Sequence, residues 1–523
     1  MKSKNILAGL LALTFVFGGA TMPAAVSSFD TAITASADSE VPESGELGDN
    51  ITWKLDEDGT LVISGTGKMD FGGSGSPWGD NEVIKSVYIK NGITDIGKDA
   101  FNFCMSLTEI SIPSSVTSIG NGAFYYCPEL TEINIPNGVA SIGINAFSHC
   151  EQLETINIPD SVASIGAGAF SNTAWLQKKQ KEDPLVVVNN ILIDGTKCEG
   201  SVTIPDDVKS INDSAFSTNV NLTEITIPDG VKKIGHDAFY GCTELTNVTI
   251  ADSVRDIDYN AFVACEKLKE ITLPASLEHL GNGAFTGTQL LKDLSTDPQK
   301  AVVIDNWLIS MPTSTEPVFP EGVVGIADNV YIQGEFQLPD TLKYIGKYAV
   351  TDAIREKSKM HDKLEIPAGV IRIGEMAFNY KAKELVLHEG LEYIGGGAFQ
   401  NITAKEVLVP GTVTYIGEKA LGYLDNEKIN GFTIKGYNGT AAQMYAKANG
   451  FVFVSLGNKP PMKGDLNIDG TVNVTDVSML AAHVKGVKKM YDTAAADLNG
   501  DGSINVTDIS QLAAHVKGIK KLS

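Results

Sequence analysis

The sequence predicts an α/β-type solenoid of short stacked repeats, followed by a small all-α unit made of two loop–helix elements. Three observations predict this organisation: an Ala-Phe pair recurs every 23 residues, a proline keeps the same period, and two Asp- and Asn-rich loops stand 32 residues apart near the C-terminus. The 523-residue chain is 43% hydrophobic, which supplies enough apolar side chains for a large core and excludes global disorder.

The charge balance excludes several classes of partner. Asp and Glu number 64 against 41 Lys and Arg, which gives a net charge of −23 and a pI near 4.7. The sequence therefore lacks a basic footprint for nucleic acid, and docking on an anionic membrane is equally unfavourable. The six cysteines are too few to hold a chain of this size together through disulfides.

The N-terminus predicts export. Lys2 and Lys4 precede an apolar run over residues 6–20, which is too short for a stable membrane span. An Ala-x-Ala-like site follows, so residues 1–37 are expected to be a secretory signal peptide, with cleavage after Ala25 as the alternative. The sequence has no cysteine there for lipid attachment and no second run of about 20 apolar residues, so we expect a secreted, extracellular protein without membrane insertion.

The repeat is recognised by residues that keep their positions from one unit to the next. Each unit reads Ile-Pro, then Ile-Gly, then Ala-Phe, and in many units Cys and Leu follow. Two longer units, from Phe170 to Phe216 and from Pro274 to Pro320, span twice the period and resemble each other. The phenylalanines that mark the period are Phe101, Phe124, Phe147, Phe170, Phe216, Phe239, Phe262 and Phe285.

A period of this length predicts stacked coils, because one coil is too short to bury its own apolar face. Alternating isoleucines in Leu-x-x-Ile-x-Ile-Pro predict a short strand, and the proline ends it because proline cannot donate to the ladder. Each strand is expected to pair in parallel with the strand of the next coil. Ile-Gly is interpreted as a turn, and Ala-Phe as the opposite side of the coil, with a helix as one option.

The pattern Ile-Pro…Val-x-x-Ile-Gly-x-x-Ala-Phe-x-x-Cys-x-x-Leu resembles the BspA-type bacterial leucine-rich repeat over residues 83–425. The resemblance implies a leucine-rich repeat fold with short parallel strands, and the exposed ends of such a solenoid need caps. Residues 46–82, with Asp58-Gly59 between apolar runs, are expected to form an N-terminal β cap. Residues 426–456 are expected to form a C-terminal cap, and residues 457–463 a linker.

Five cysteines occupy one equivalent position of the repeat. They are expected to lie in a column of small, buried, apolar side chains. Disulfides between coils and a metal site are the alternatives, although parallel Cβ vectors disfavour a bridge and a column offers no tetrahedral cluster. The five are Cys104, Cys127, Cys150, Cys242 and Cys265.

Two twelve-residue loops in the C-terminal region carry the spacing of a calcium site. Calcium prefers many oxygen ligands in flexible geometry, and Asp, Asn, Thr or Ser occupies positions 1, 3, 5, 7, 9 and 12 of each loop. Gly470 and Gly502 stand where the loop bends sharply, and position 7 contributes its backbone carbonyl. The sequence therefore predicts two Ca²⁺ ions, with a metal-free polar turn as the alternative. The predicted ligands are Asp465, Asn467, Asp469, Thr471, Asn473, Asp476, Asp497, Asn499, Asp501, Ser503, Asn505 and Asp508.

Each loop runs into a helix with apolar residues at i, i+3, i+4 and i+7, and Pro460-Pro461 excludes a helix before the first loop. Two such units over residues 464–523 resemble a type I dockerin. The resemblance implies binding to a cohesin module of a cellulosome-type scaffoldin, through loop positions 10 and 11 and the following helix. The matching residues are Val474, Thr475, Ala481, Ala482, Val506, Thr507, Ala513 and Ala514. Packing between the two helices is the alternative role for these residues.

Together these resemblances predict a non-catalytic recognition or adhesion protein, placed at the cell surface or in a cellulosome and supporting plant polysaccharide degradation. The long repetitive face of the solenoid suits a protein or cell-surface ligand. Direct binding of plant polysaccharide is one alternative, and a dockerin-bearing polysaccharide hydrolase is another, although the repeats leave little room for a catalytic domain. The outward strand positions are small and polar, and they are Ser111, Asn134, Asn157, Thr226, Thr249 and Thr272.

Overall fold

The computed structural model describes most of the chain from residue 44 onward. Within that part, no helix is long and apolar enough to cross a membrane. The predicted signal peptide, residues 1–37, and three predicted calcium ligands, Asn467, Asp469 and Thr471, lie outside the described residues. The described residues are 44–48, 50–72, 75–314, 316–351, 360–379, 381–459, 463–466, 472–487, 495–517 and 522.

One series of parallel strands is built from the Ile-Pro segments, as predicted. Equivalent residues of successive coils pair with each other, as Ile133 does with Ile156. Side chains alternate along each strand, so Ile133 is 3% exposed while its neighbour Asn134 faces solvent. We call this series the Ile-Pro column. Its strands are Ser86–Ile89, Glu109–Ser111, Glu132–Asn134, Thr155–Asn157, Gly200–Thr203, Leu222–Ile227, Asn247–Ile250, His361–Glu365, Ala382–Val386, Glu406–Leu408, Thr433–Asn438 and Val452–Asn458.

A second series of short parallel strands lies at the Ile-Gly segments, so the interpretation of Ile-Gly as a turn is wrong for the isoleucine. Ile142 is buried from strand Ser141–Ile142, which pairs with Ser118–Ile119. The glycine that follows is required by the close approach of adjacent coils, because a Cβ at Gly143 would lie 2.4 Å from the backbone nitrogen of Asn121. We call this series the Ser-Ile column. Its regular strands are Gly67–Lys68, Ile93–Ile96, Ser118–Ile119, Ser141–Ile142, Ser164–Ile165, Ser210–Ile211, Lys233–Ile234, Asp256–Ile257, His279–Leu280, Gly325–Ile326, Tyr344–Ile345, Arg372–Ile373, Tyr393–Ile394 and Tyr415–Ile416.

Tight turns, not helices, form the Ala-Phe side of the regular coils. Phe101, Phe124 and Phe147 are fully buried, and their rings stack with centroids 5.3 and 5.2 Å apart. Tyr126 and His149 adopt left-handed backbone, with φ of 61° and 62°, which an α-helix does not accommodate. The helical option is therefore wrong in these coils, and the fold is a solenoid of stacked parallel strands of the leucine-rich repeat type.

Two inserts, one in each longer unit, combine a helix with an antiparallel hairpin. The helices are α1, Ala174–Glu182, and α2, Gln289–Leu294, and a buried threonine caps the start of each. The second strand of each hairpin joins the Ser-Ile column in parallel, so the inserts divide that column into three blocks. The hairpin strands are Val186–Val188 with Ile191–Asp194, and Val302–Ile304 with Trp307–Ser310.

Further elements cover the two ends of the solenoid. At the N-terminal end, Ser44–Leu47 extends an antiparallel hairpin of Ile51–Leu55 and Thr60–Gly65, whose second strand pairs in parallel with Ser86–Ile89. At the C-terminal end, helix α3, Ala441–Asn449, buries Tyr445 and Ala446 against the last coils. The remaining short strands are Val350–Thr351 with Phe378–Asn379, and Tyr423–Leu424 with Glu427–Lys428.

Two helices form the C-terminal unit, each preceded by one of the Asp- and Asn-rich loops. They are α4, Val474–Val484, and α5, Val506–Val516. The helices pack against each other over a small core, which explains the i, i+3, i+4, i+7 pattern of the sequence. The buried residues of this core are Leu480, Ala496, Leu498 and Leu512.

Candidate functional site

The second loop, residues 497–508, curls around the carboxylate of Asp497. Its Oδ1 accepts a hydrogen bond from the backbone N–H of Gly500, and its Oδ2 accepts one from Gly502, both at 2.8 Å. Gly500 and Gly502 adopt left-handed backbone, with φ of 74° and 82°, which permits the tight turn. The first carboxylate of the loop thus fixes the conformation of the turn.

Asp508, at the last position of this loop, ties the two ends of the loop together. Its side chain is fully buried, its Oδ1 accepts from the N–H of Leu498 at 2.8 Å, and its Oδ2 accepts from that of Asn505 at 2.9 Å. The bond from Asn505 is half of a capping box that begins α5. A single carboxylate therefore positions both the start of the loop and the start of the helix.

The first loop repeats this arrangement where it is described. Asp476 is fully buried and accepts from the N–H groups of Leu466 and Asn473, both at 2.8 Å. Asp465, the first predicted ligand of the loop, is 3% exposed. The two loops therefore place their final aspartates in equivalent surroundings.

The donor chemistry of the second loop fits a calcium ion. All six of its predicted ligands are described, and every one supplies oxygen, the atom that Ca²⁺ prefers. In the described residues, the buried Asp508 carboxylate meets only backbone N–H donors, and a bound cation would compensate its charge. Among the residues that the structure describes, no group of three or more His, Cys, Asp or Glu side chains is placed to hold a metal ion.

The predicted cohesin contacts divide into an exposed set and a half-buried set. Val474 and Val506 are 67% and 65% exposed, and Thr475 and Thr507 beside them also face solvent. These pairs begin α4 and α5 at equivalent positions, so the unit presents the same side chains twice. The half-buried residues on the helices are Ala481, Ala482, Ala513 and Ala514. All eight remain predictions as partner contacts.

The outward face of the Ile-Pro column is polar, as expected. Asn134 and Asn157 are exposed, and the Nδ2 of Asn157 donates to the Oδ1 of Asn134 at 2.7 Å. A groove of about 600 Å³ runs along this face in the first block, where Glu109, Ser111 and Glu132 also line it. Hydroxyl, amide and carboxylate groups in such a groove offer many hydrogen bonds to a ligand.

A second outward face, that of the Ser-Ile column, was not predicted from the sequence. A groove of about 470 Å³ opens there beside the second insert. The rings of Trp307 and Tyr344 are parallel with centroids 6.0 Å apart, and the guanidinium carbon of Arg372 lies 3.9 Å from the centre of the Tyr393 ring. Interpreting Ile-Gly as a turn hid these residues. The sequence does contain a signal for this face, because the serine before Ile-Gly in the early coils is replaced by larger side chains in later coils.

His279 links two blocks of the solenoid across the second insert. Its Nδ1 lies 2.8 Å from Asp256 Oδ1, and its Nε2 lies 3.0 Å from Asp328 Oδ2. Burial alone would lower the pKa of the imidazole, but hydrogen bonds and charge from the two carboxylates outweigh it and raise the pKa to about 9. The ring is therefore protonated at neutral pH and donates to both acids.

All six cysteines are free and buried. The interpretation of the five-cysteine column as buried thiols is therefore confirmed, and the alternative of disulfides between coils is wrong. The Sγ of Cys127 donates to the carbonyl of Phe101, and the Sγ of Cys150 to that of Phe124, both at 3.1 Å. Burial raises the pKa of Cys104 to about 12, which keeps its thiol protonated and unreactive. The column is structural.

Comparison with protein families gives two matches. The family described as BspA type leucine rich repeat region (6 copies) matches residues 80–196, 194–310 and 310–428, which is more than half of the chain. The family described as dockerin type I domain matches residues 463–517. No curated protein matches the chain.

Several solved structures also resemble parts of the chain. A leucine-rich repeat protein from Eubacterium ventriosum is 22% identical, with 47% of this chain and 95% of that chain covered and a TM-score of 0.26. A second, from Bacteroides ovatus, is 22% identical, with 75% and 99% covered and a TM-score of 0.26. A leucine rich cell surface protein from Faecalibacterium prausnitzii is 20% identical, with 80% and 96% covered and a TM-score of 0.20. At these TM-scores, the family matches alone carry the assignment.

Proposed function

The chain belongs to the BspA-type leucine-rich repeat family and ends in a type I dockerin domain, and from this we propose that it is a secreted, non-catalytic recognition protein. In this proposal the solenoid binds a protein or cell-surface ligand, and the dockerin attaches the chain to a cohesin on a cellulosome-type scaffoldin. The assembly thereby contributes to the degradation of plant polysaccharide. Both matched domains are of non-catalytic kinds.

Attachment through the dockerin is supported above all by the buried aspartates Asp476 and Asp508, which have matching hydrogen bonds in the two loops. Type I dockerins generally bind calcium. We assign one Ca²⁺ to each loop, held by the twelve oxygen ligands named in the sequence analysis. Because a site of this kind is completed only when the chain is folded around the ion, binding of calcium stabilises the fold that the cohesin recognises.

The attachment proposal is tested by measuring cohesin binding with the full chain in calcium and in excess chelator. Replacing both Asp465→Ala and Asp497→Ala removes the first ligand of each loop and is expected to abolish binding at any calcium concentration. Ser503→Ala is the matched control, because position 7 contributes its backbone carbonyl and not its side chain. Full cohesin affinity of the double variant, or of the wild type in chelator, would overturn the calcium-dependent attachment.

The recognition role is supported by the long outward faces of the two strand columns, which carry grooves of about 600 and 470 Å³. The test uses the dockerin-bearing chain, immobilised through a cohesin, as bait for proteins secreted by plant-wall-degrading bacteria. Specific capture of a protein supports the proposal. Retention of the chain on insoluble xylan or cellulose without a cohesin would favour the polysaccharide-binding alternative, and release of soluble sugar would favour the hydrolase.

A further inference from the structure

One outward position of the Ser-Ile column changes character along the solenoid. The residue before the buried isoleucine is a serine in the early coils, at Ser118, Ser141, Ser164 and Ser210. In the third block this position holds large side chains at every strand except that of Gly325. We call the large side chains of this block the aromatic ladder, and its members are Trp307, Tyr344, Arg372, Tyr393 and Tyr415.

The ladder contains two stacked groups, Trp307 with Tyr344, and Arg372 with Tyr393 and Tyr415. Gly325 separates Trp307 from Tyr344, and its lack of a side chain makes room for the indole, because a Cβ there would lie 2.6 Å from the ring atoms. Arg372 covers one face of the Tyr393 ring, and Tyr415 covers the other with centroids 4.9 Å apart. Both faces of Tyr393 are therefore occupied. Trp307 is only 5% exposed and packs into the core, so the tyrosines and Arg372 are the members of the ladder that reach the surface.

The groove beside the ladder has a surplus of positive charge. Each of its four carboxylates has a cationic partner within the groove: the pairs are Asp258 with Lys233, Glu278 with Arg255, Glu375 with Lys347, and Asp256 with His279. His279 also binds Asp328 beside the groove, so the surplus is one positive charge when Asp328 is counted. Two of its cations, Lys232 and Arg372, have no carboxylate partner in the described part of the chain. This local surplus stands out in a chain whose net charge is −23.

We propose that the aromatic ladder and its groove form a docking surface for an acidic segment of a partner protein. This inference rests on the proposed recognition role of the solenoid and assigns that role to one face. The face of the Arg372 guanidinium is occupied by stacking on Tyr393, and the N–H groups along its edge are left to donate to a ligand. A carboxylate matches the planar geometry of these donors. Tyr, Trp and Arg in a pocket are also the residues that dominate binding energy at protein interfaces.

The geometry favours a protein over a sugar chain. Sugar rings bind to aromatic side chains by lying on an open ring face. The Tyr393 ring has none and Trp307 is buried, so Tyr415, 49% exposed at the end of the ladder, offers one platform and not the row of platforms that a sugar chain uses. Edges and phenol hydroxyls instead suit the mixed apolar and hydrogen-bonding contacts of a peptide. An acidic polysaccharide would satisfy the charge of the groove equally well, so it is the competing outcome that the experiment must separate.

The experiment measures binding of a fluorescein-labelled deca-glutamate peptide to the full chain by fluorescence anisotropy at low ionic strength. The double variant Arg372→Ser with Tyr393→Ser removes the centre of the ladder, and serine is the residue that the early coils already carry at this position. The matched control, Tyr126→Ser with Lys435→Ser, removes one aromatic residue and one cation away from the ladder. Circular dichroism of each variant verifies that the solenoid is folded.

We expect the ladder variant to weaken deca-glutamate binding at least tenfold and the control to leave it unchanged. Equal binding by wild type and ladder variant overturns the proposal, as does ladder-dependent binding of a galacturonate decamer that exceeds binding of the peptide. Capture of secreted proteins by both forms is measured in parallel. If capture persists while the ladder has no effect on peptide binding, the recognition role of the solenoid stands and only its assignment to this face fails.

Discussion

Replacing Asp508 with alanine is expected to destabilise the second loop–helix unit and to remove its calcium site. The change leaves the N–H groups of Leu498 and Asn505 without their acceptor, at a cost of roughly 1–3 kcal/mol for the buried Leu498 group and less for the partly buried Asn505 group. It also removes a ligand, and loss of an ion that is present at 100 times its Kd costs about 2.7 kcal/mol more. The core that the structure describes in this unit has four buried residues, so the stability of the unit in the absence of calcium is expected to be small.

The assay is calcium titration of the full chain by isothermal calorimetry, followed by scanning calorimetry to resolve the melting of the dockerin from that of the solenoid. The Asp508→Ala variant should lose at least one calcium-binding event and the dockerin transition should shift to lower temperature, whereas the solenoid transition should stay in place. Ser503→Ala should behave as the wild type. Unchanged calcium stoichiometry together with an unchanged dockerin transition in the Asp508→Ala variant would refute the assignment of this carboxylate.

Three further predictions concern the solenoid. The pKa of His279 in the folded chain is raised to about 9, so its bridge adds up to about 3 kcal/mol to the free energy of unfolding below pH 6.5. This contribution is lost as pH rises through 9. The difference in melting temperature between wild type and His279→Gln should therefore vanish by about pH 10. Phe239→Ala removes a fully buried ring from the stack and should cost roughly 3–5 kcal/mol in urea unfolding, whereas Tyr240→Ala at the exposed neighbouring position should change stability little. Iodoacetamide should label no cysteine of the native chain and all six after denaturation, and rapid native labelling would contradict their burial.

Residues that repeat in the sequence were the ones whose surroundings could be predicted. Phe124 and Ile133 recur at the repeat period, and a coil that cannot bury them alone must bury them against its neighbours. The two calcium loops could be predicted for a similar reason, because all six predicted ligands of each loop come from twelve consecutive residues. The two hydrogen bonds that Asp508 accepts from the backbone were not predicted, because they depend on the conformation of the folded turn.

The Ser-Ile strands escaped prediction for a physical reason. A strand of two residues shows no alternation, so Ser141–Ile142 carries no local signal of its own. Its extended conformation is imposed by hydrogen bonds to the strands of the coils on either side. Unless this strand is predicted, the direction of the side chain before the isoleucine cannot be predicted either. The aromatic ladder therefore could not be recognised from the sequence.

Spacing along a short stretch of chain was enough to predict that the coils stack, that the Ile-Pro and Ala-Phe positions carry apolar side chains, and which residues could supply oxygen to calcium. The tertiary structure decided which coils meet across the inserts. His279 reaches Asp328, 49 residues away, and Trp307 meets Tyr344 across Gly325 only because the second hairpin joins the Ser-Ile column. Contacts between distant residues depend on where the inserts rejoin the stack, and no local pattern encodes that position.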